Sequence, residues 1–204
     1  MIHKEKVKSK GMHLITVCDV STPEAKKLEN RIESLVSHRS FLLRTFSGEN
    51  LERELLKHWK NYNKLVAKLH SRFMKRQILV PNITTTAGRT VLARRLSGNT
   101  TYSGSINYTA LGTSNTAPTV GDTQLGTETY RKALSSGTYL NNVAYIETFF
   151  SASEVNGTFQ EYANFIDGSG SANSGQMFNR FTQTVSKSAT ETLNVQSVVT
   201  FSDV

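Results

Sequence analysis

The stretch Thr192-Leu193-Asn194-Val195-Gln196-Ser197-Val198-Val199-Thr200-Phe201 shows most clearly how this chain folds. Positions 193, 195, 197, 199 and 201 share one face, and all of them but Ser197 are apolar. Alternation with a period of two is typical of a β-strand that buries one face and leaves the other polar. We therefore predict a strand over Thr192–Phe201 that packs against a second layer.

Five stretches upstream of this strand have similar character. They are Ser105–Leu111, Thr127–Leu134, Asn142–Phe150, Gly157–Ile166 and Gln176–Val185. Clusters of turn-forming residues separate them, including Ser135-Ser136-Gly137 and the stretch 168–175. Six strands at meander-like spacing predict an antiparallel β-sandwich or a barrel-like sheet.

The N-terminal part of the chain predicts two long helices between two strands, Gly11–Asp19 and Arg76–Val80. Ser21-Thr22-Pro23-Glu24 combines a hydroxyl cap with a proline in the first turn, which is typical of a helix start. Apolar residues then recur at spacings of three and four as far as Phe46, and again from Leu51 to Phe73. Two such helices joined by a few residues should form an antiparallel hairpin.

We therefore predict an α+β chain that is mainly β. Residues 1–21 and 76–204 should form the sandwich domain, and residues 22–75 an inserted basic helical hairpin. A short third helix is expected over Ala87–Leu96, capped by Thr86 and ended by Gly98. Because the hairpin falls between two strands that should pair, we expect it to project from one edge of the sandwich.

Charge divides the chain near Gly98. Residues 1–97 contain 20 Lys or Arg and 8 Asp or Glu, whereas residues 98–204 contain 4 and 8. Such a split suggests that the two parts meet different surroundings. No stretch approaches the roughly 20 apolar residues of a membrane span, and no secretion signal precedes the first strand. We expect a soluble protein made in a cytosol, with no membrane partner.

The sequence offers no catalytic or metal-binding constellation. Cys18, the single cysteine, falls inside a predicted strand and is expected to be a buried small hydrophobe. No two histidines have the spacing of a zinc site. The oxygen-rich stretch from Asp167 to Asn173 resembles a calcium loop, but Phe178 replaces the bidentate glutamate, so a hairpin loop is expected. We predict a protein that is not an enzyme and that needs neither cofactor nor metal.

A stripe of positive charge follows the second helix and the residues just beyond it. We call these residues the basic stripe: Lys57, Lys60, Lys64, Lys68, Arg72, Lys75 and Arg76. Three interpretations remain open: a solvated helix face, a docking surface for an acidic protein, or a contact with nucleic-acid phosphates. No aromatic residues interleave with these cations to stack bases, so nucleic acid is not favoured.

From Asn82 onward the chain resembles a family of tailed-bacteriophage structural proteins, which are tail, neck or fibre-associated components. The resemblance begins at Asn82-Ile83-Thr84-Thr85-Thr86-Ala87-Gly88-Arg89 and is strongest over Ile106–Pro118. It continues through Asp122–Glu128, Arg131-Lys132-Ala133, Asn156–Tyr162 and Phe165–Gly168, and then to a final strand. The inserted hairpin lies outside this resemblance.

The resemblance implies a structural component of a tailed virus particle, made in the host cytoplasm and located in the virion. Its partners would be further copies of itself, in a symmetric oligomer, and other virion proteins. Arg131, Lys132 and Tyr108 are candidates for the assembly surface. One alternative is a receptor- or glycan-binding module that uses Tyr102, Tyr108 and Tyr139. Another is a nucleic-acid-binding protein that uses the basic helices.

Overall fold

The fold is described from a computed structural model that covers residues 8–202, with only the backbone given for residues 8–10. The strands are β1 (Lys8–Asp19), β2 (Met74–Pro81), β3 (Ile83–Thr84), β4 (Ile106–Gly112), β5 (Glu128–Ala133), β6 (Ser136–Leu140), β7 (Val143–Phe150), β8 (Gly157–Ile166), β9 (Gln176–Lys187) and β10 (Glu191–Ser202). The helices are α1 (Pro23–Thr45), α2 (Gly48–Phe73) and α3 (Thr86–Leu96). None of these helices combines the length and the apolar character needed to cross a membrane.

Within residues 8–202, ten antiparallel strands form two five-stranded sheets. Sheet A has the order β2-β1-β10-β7-β6, and sheet B has the order β3-β9-β8-β4-β5. The first and last strands, β1 and β10, pair over their whole length in the middle of sheet A, from Lys8 opposite Ser202 to Asp19 opposite Glu191. The predicted class is confirmed: the chain is α+β, mainly β, with a sandwich and inserted helices.

The core between the sheets follows from the alternation in the sequence. Ile15 of β1 pairs with Val195 of β10, and both point toward sheet B. From sheet B, Leu111, Tyr162 and Phe181 meet them. These side chains are almost fully buried, and burial of this kind is the main stabilising term of a sandwich.

A row of polar side chains crosses this core. Its members are Thr148, Thr109, Asn164, Asn179, Ser197 and His13. Asn164 lies at the centre, donating to Ser197 Oγ at 2.8 Å and accepting from Thr109 Oγ1 at 2.8 Å. His13 Nδ1 lies 2.6 Å from Ser197 Oγ, and burial lowers the pKa of His13 to about 3. The row is therefore uncharged and largely satisfied from within, as buried polar groups must be.

The helical hairpin occupies the connection between β1 and β2, which pair with each other from Met12 opposite Pro81 to Cys18 opposite Met74. Thr22 caps α1 by accepting from the Ala25 N–H, with Pro23 in the first turn. Two residues, Phe46 and Ser47, separate the helices. These features follow directly from the start and break signals in the sequence.

We expected the hairpin to project from one edge of the sandwich. It lies instead on the outer face of sheet A. Its apolar residues, among them Leu28, Ile32, Tyr62, Val66 and Leu69, form a second core with Cys18, Phe149 and Ala152 of the sandwich. The hairpin lies there because a projecting hairpin would expose its own apolar face and the apolar outer face of sheet A to water. Cys18 is buried as predicted, and burial raises the pKa of its thiol to about 12.

Two strands were missed from the sequence. Ser136-Gly137 was assigned to a turn, but it begins β6, which pairs with β7 from Ser136 opposite Glu147. The chain crosses here from sheet B to sheet A, and Ser135 Oγ accepts from the Phe149 N–H at 2.9 Å. The segment Ser135-Ser136-Gly137 thus has the composition of a turn, although it carries the chain from one sheet to the other. The second missed strand, β3, is only two residues long.

Buried ions hold the long loop 113–127 against the outer face of sheet B. The Glu161 carboxylate is fully buried and accepts from the backbone N–H groups of Gly126 and Thr127 at 2.9 and 2.7 Å. It also pairs with Arg180 Nη2 at 2.9 Å. A Cβ on Gly112 would lie 2.4 Å from Glu161 Oε1, so this approach needs glycine.

We predict that Glu161→Ala lowers the free energy of unfolding by about 3 to 5 kcal/mol. It leaves the N–H groups of Gly126 and Thr127 buried without an acceptor and removes one of the two carboxylates that pair with Arg180, the other being Asp122. Urea denaturation checks this value. The matched control is Glu54→Ala, whose carboxylate pairs with Lys57 on the exposed face of α2 and whose loss should cost below about 1 kcal/mol. Equal, small losses in both variants would contradict this role of Glu161.

Candidate docking surface

The basic stripe of α2 points into solvent. Lys57, Lys60, Lys64, Lys68 and Arg72 are all exposed. The opposite face of the helix buries His58, Tyr62, Val66 and Leu69 against sheet A and α1. These five residues therefore lie on the outside of the helical layer, as the spacing of three and four residues predicts. Lys75 and Arg76, the other two residues of the stripe, lie on β2.

Four of the seven stripe residues are engaged within the chain. These are Lys57 with Glu54, Arg72 with Glu24, Lys75 with Glu191, and Arg76 with the carbonyl oxygen of Ser186. Lys60, Lys64 and Lys68 form no ion pair with any residue that the structure describes. The free charge of the stripe is thus concentrated in the middle of α2.

Arg31 of α1 joins Lys64 and Lys68 around a groove between the two helices. The groove has a volume of about 610 Å³. Its other lining residues are Ser34, Leu35, Asn61 and Leu65. None of the lining residues is acidic, so three cations from two helices face one opening. We call this opening the cationic groove.

The register of the hairpin brings Arg31 to this position. Glu24 near the start of α1 pairs with Arg72 near the end of α2. Further along, the Leu35 carbonyl oxygen lies 2.9 Å from His58 Nε2. Arg31 lies between these two crosslinks, opposite the middle of α2. Arg31 is not predicted from the sequence, because this register depends on contacts between the helices and on no local pattern.

Polar contacts with the sandwich fix the orientation of the hairpin. Glu29 is buried on α1, and its Oε1 accepts from the Ala152 N–H at 2.6 Å. The Tyr62 hydroxyl donates to Asn194 Oδ1 of β10 at 3.4 Å. Since both contacts lie on the sheet-facing side, the cationic groove must face away from the sandwich.

A buried carboxyl lies under α2 at the centre of this interface. Asn194 Nδ2 donates to Glu147 Oε1 at 2.5 Å. No cation among the described residues pairs with Glu147. Burial raises the pKa of Glu147 to about 7, although hydrogen bonds from Asn194 and Gln196 oppose this shift. The stability of the hairpin interface should therefore depend on pH.

The other predicted site residues mainly contact neighbouring residues of the sandwich. Arg131 pairs with Glu128 at 2.5 Å, with both side chains 3% exposed. Lys132 pairs with Glu154 at 2.5 Å. Tyr108 is half-buried against the outer core of sheet B. These charges are therefore not a free surface, and assembly through edge strand β5, which carries Arg131 and Lys132, stays a prediction.

The loop from Asp167 to Gly175 is the connection of the β8–β9 hairpin, as predicted. Arg131 Nη1 donates to the carbonyl oxygen and hydroxyl of Ser174 at 3.0 and 2.7 Å. The Arg131 guanidinium thus binds oxygen atoms of this loop. Among residues 8–202, no three His, Cys, Asp or Glu side chains come together in a way that could hold a metal ion.

The three tyrosines of the receptor-binding alternative have different environments. Tyr102 packs on the core near α3, with the Arg94 guanidinium 5.7 Å from its ring centre. Tyr108 belongs to the outer core of sheet B. Tyr139 on edge strand β6 is 71% exposed. Only Tyr139, of these three, offers most of its ring to a ligand.

Comparison of the chain with models of protein families, with curated proteins and with solved structures gave no match.

We predict that Glu147→Gln removes a loss of stability that the native protein suffers between about pH 4.5 and pH 7. The unfolded chain releases this proton near 4.5, whereas the folded protein holds it to about 7. The folded state therefore binds more protons in this window, and its free energy of unfolding falls as the pH rises. At pH 8 the variant should be more stable by roughly 2 to 3 kcal/mol.

Urea denaturation of both proteins at pH 4 and pH 8 measures this difference. At pH 4 the two should unfold alike, because the carboxyl is then protonated in both states. Burial lowers the pKa of His70 to about 4. Its titration changes the free energy of unfolding of both proteins equally, so the difference between them is unaffected. A variant that is no more stable than the native protein at pH 8 would contradict the buried, protonated carboxyl.

Proposed function

We propose that this chain is a non-enzymatic structural component of a tailed virus particle, made in the host cytoplasm and incorporated into the virion. It assembles with copies of itself through its β-sandwich and docks on an acidic virion protein through its helical hairpin. The observation that carries the docking role is the cationic groove, where Arg31, Lys64 and Lys68 converge without a carboxylate among the lining residues.

The segments that resemble phage structural proteins support the architectural part of the proposal. They supply the contacts that fix the loops of the sandwich. Asn107 exchanges two hydrogen bonds with the backbone of Gly168, both at 2.8 Å. Glu161 and Arg131 hold the two longest loops of sheet B. Residues of this kind preserve a scaffold, and none of them forms an acid–base or nucleophile pair.

An acidic protein fits the cationic groove better than a nucleic acid does. The lining contains no aromatic side chain on which a base could stack. It does contain Leu35 and Leu65, which lie half-buried between the cations. A protein segment with carboxylates flanking an apolar side chain would satisfy both features, whereas a phosphate backbone would satisfy only the charge.

The particle itself provides the first test. Mass spectrometry of purified virus particles, from cells that express this chain, should detect it at a fixed ratio to the other structural proteins. Its absence from such particles would refute the proposal.

For docking, we predict that Lys64→Glu/Lys68→Glu weakens incorporation into particles by at least about tenfold, because reversed charge repels an acidic partner. The control is Arg89→Glu/Arg95→Glu on α3, which changes the net charge equally at exposed positions outside the groove. The readout is the ratio of the chain to other particle proteins. Equal incorporation of both variants would contradict docking through the groove.

Filter binding with duplex DNA at low salt separates the nucleic-acid alternative. The native chain should retain no more DNA than the Lys64→Glu/Lys68→Glu variant. Strong, salt-dependent retention that this variant loses would assign the groove to nucleic acid and would contradict the acidic-protein partner.

A further inference from the structure

Arg39 occupies a position of α1 where an apolar residue is expected. Leu28 and Ile32 precede it on the sheet-facing side of the helix, and Leu42 follows. Its guanidinium reaches the edge of sheet A, where Nη1 donates to the Leu134 carbonyl oxygen at 3.1 Å. An added Cβ on Gly137 of edge strand β6 would lie 3.7 Å from Nη2. The charged group thus passes close to the inward-facing side of β6.

This guanidinium has no counter-ion among the described residues. Its Nε is buried and makes no hydrogen bond within the described part of the chain. Burial lowers the pKa of Arg39, yet an arginine side chain stays protonated at neutral pH. A half-buried guanidinium with unused donors is less favourable without an anion than with one.

Arg39 lines a cavity of about 360 Å³ between the two sheets. The apolar part of the lining includes Leu92, Ile106, Ala144, Ile146, Phe178 and Val199. Phe201, which is 37% exposed, also lines it. This volume lies within the range of about 300 to 1,000 Å³ that small-molecule pockets occupy, and such pockets combine apolar walls with a few polar groups.

We propose that this cavity binds a small organic anion, a carboxylate whose apolar body lies between the sheets and whose charged group pairs with Arg39. Nη2 of the guanidinium forms no hydrogen bond within the described part of the chain, so it can donate to the ligand carboxylate in a charge-assisted hydrogen bond. An uncharged apolar molecule would leave the guanidinium unpaired. A fully hydrophilic anion would place polar oxygens against Ile146 and Phe178, so both ligand classes should bind less well.

The site is separate from the cationic groove. Arg31 and Arg39 both belong to α1, but Arg31 lines the groove on the outside of the helices and Arg39 lines the cavity between the sheets. The binding of a carboxylate therefore does not depend on docking, and either proposal can fail without the other.

Isothermal titration of the full chain with octanoate tests the inference, with 1-octanol as the uncharged control. Octanoate should bind saturably at one site, and octanol at least about tenfold more weakly. Arg39→Met should weaken octanoate binding at least about tenfold. The matched variant Arg44→Met, at an exposed position of α1 that lines neither the cavity nor the groove, should leave it unchanged. No binding of octanoate, or equal binding to native protein and Arg39→Met, would overturn the proposal.

NMR of the native protein keeps the test decisive even if Arg39→Met does not fold. Octanoate should shift the signals of Ala144 and Val199, which line the cavity, and leave those of Lys64 and Lys68 unchanged. Shifts confined to the two lysines would place the ligand in the cationic groove and would refute the cavity as its site.

Discussion

The pairing of β1 with β10 in the middle of sheet A is the constraint on which the rest of the structure depends. It joins the first and last described strands over twelve residue pairs. On the inner side it brings Ile15 and Val195 into the sandwich core. On the outer side it presents Cys18 and Asn194 to the helices. One ladder therefore supports two cores, and a slip of one residue would exchange its two faces.

This double use of sheet A makes the molecule three layers deep: helices, sheet A and sheet B. The layering decides what each charged group can do. Cations on the far side of the hairpin, such as Lys64, meet solvent and are available to a partner. Glu147 and Arg39, on the near side, are held where water is scarce, and each lacks an oppositely charged partner in the described chain. The raised pKa of Glu147 and the unused donor of Arg39 follow from these positions.

The sequence predicted the elements well where a local rule governs them. Thr22 and Pro23 start α1, Gly98 adopts a positive φ just beyond α3, and alternation places Val195 in the core. The cap of α3 is Thr85, one residue before the predicted Thr86. The sequence did not predict the features that depend on contacts between distant parts of the chain. The hairpin lies flat because Glu29 and its apolar neighbours meet β7 and the loop after it. Arg31 completes the groove only through the register of two helices, and charged residues such as Arg131 look like surface residues until their buried partners are known.

The hairpin lies against the outer face of sheet A, and this placement directs the groove outward and buries Glu147. Nuclear Overhauser effects between the Tyr62 ring and the side-chain amide of Asn194 measure it most directly. The structure predicts these cross-peaks, because the Tyr62 hydroxyl lies 3.4 Å from Asn194 Oδ1. A folded protein that shows cross-peaks between Ile15 and Val195 but none between Tyr62 and Asn194 would contradict the account.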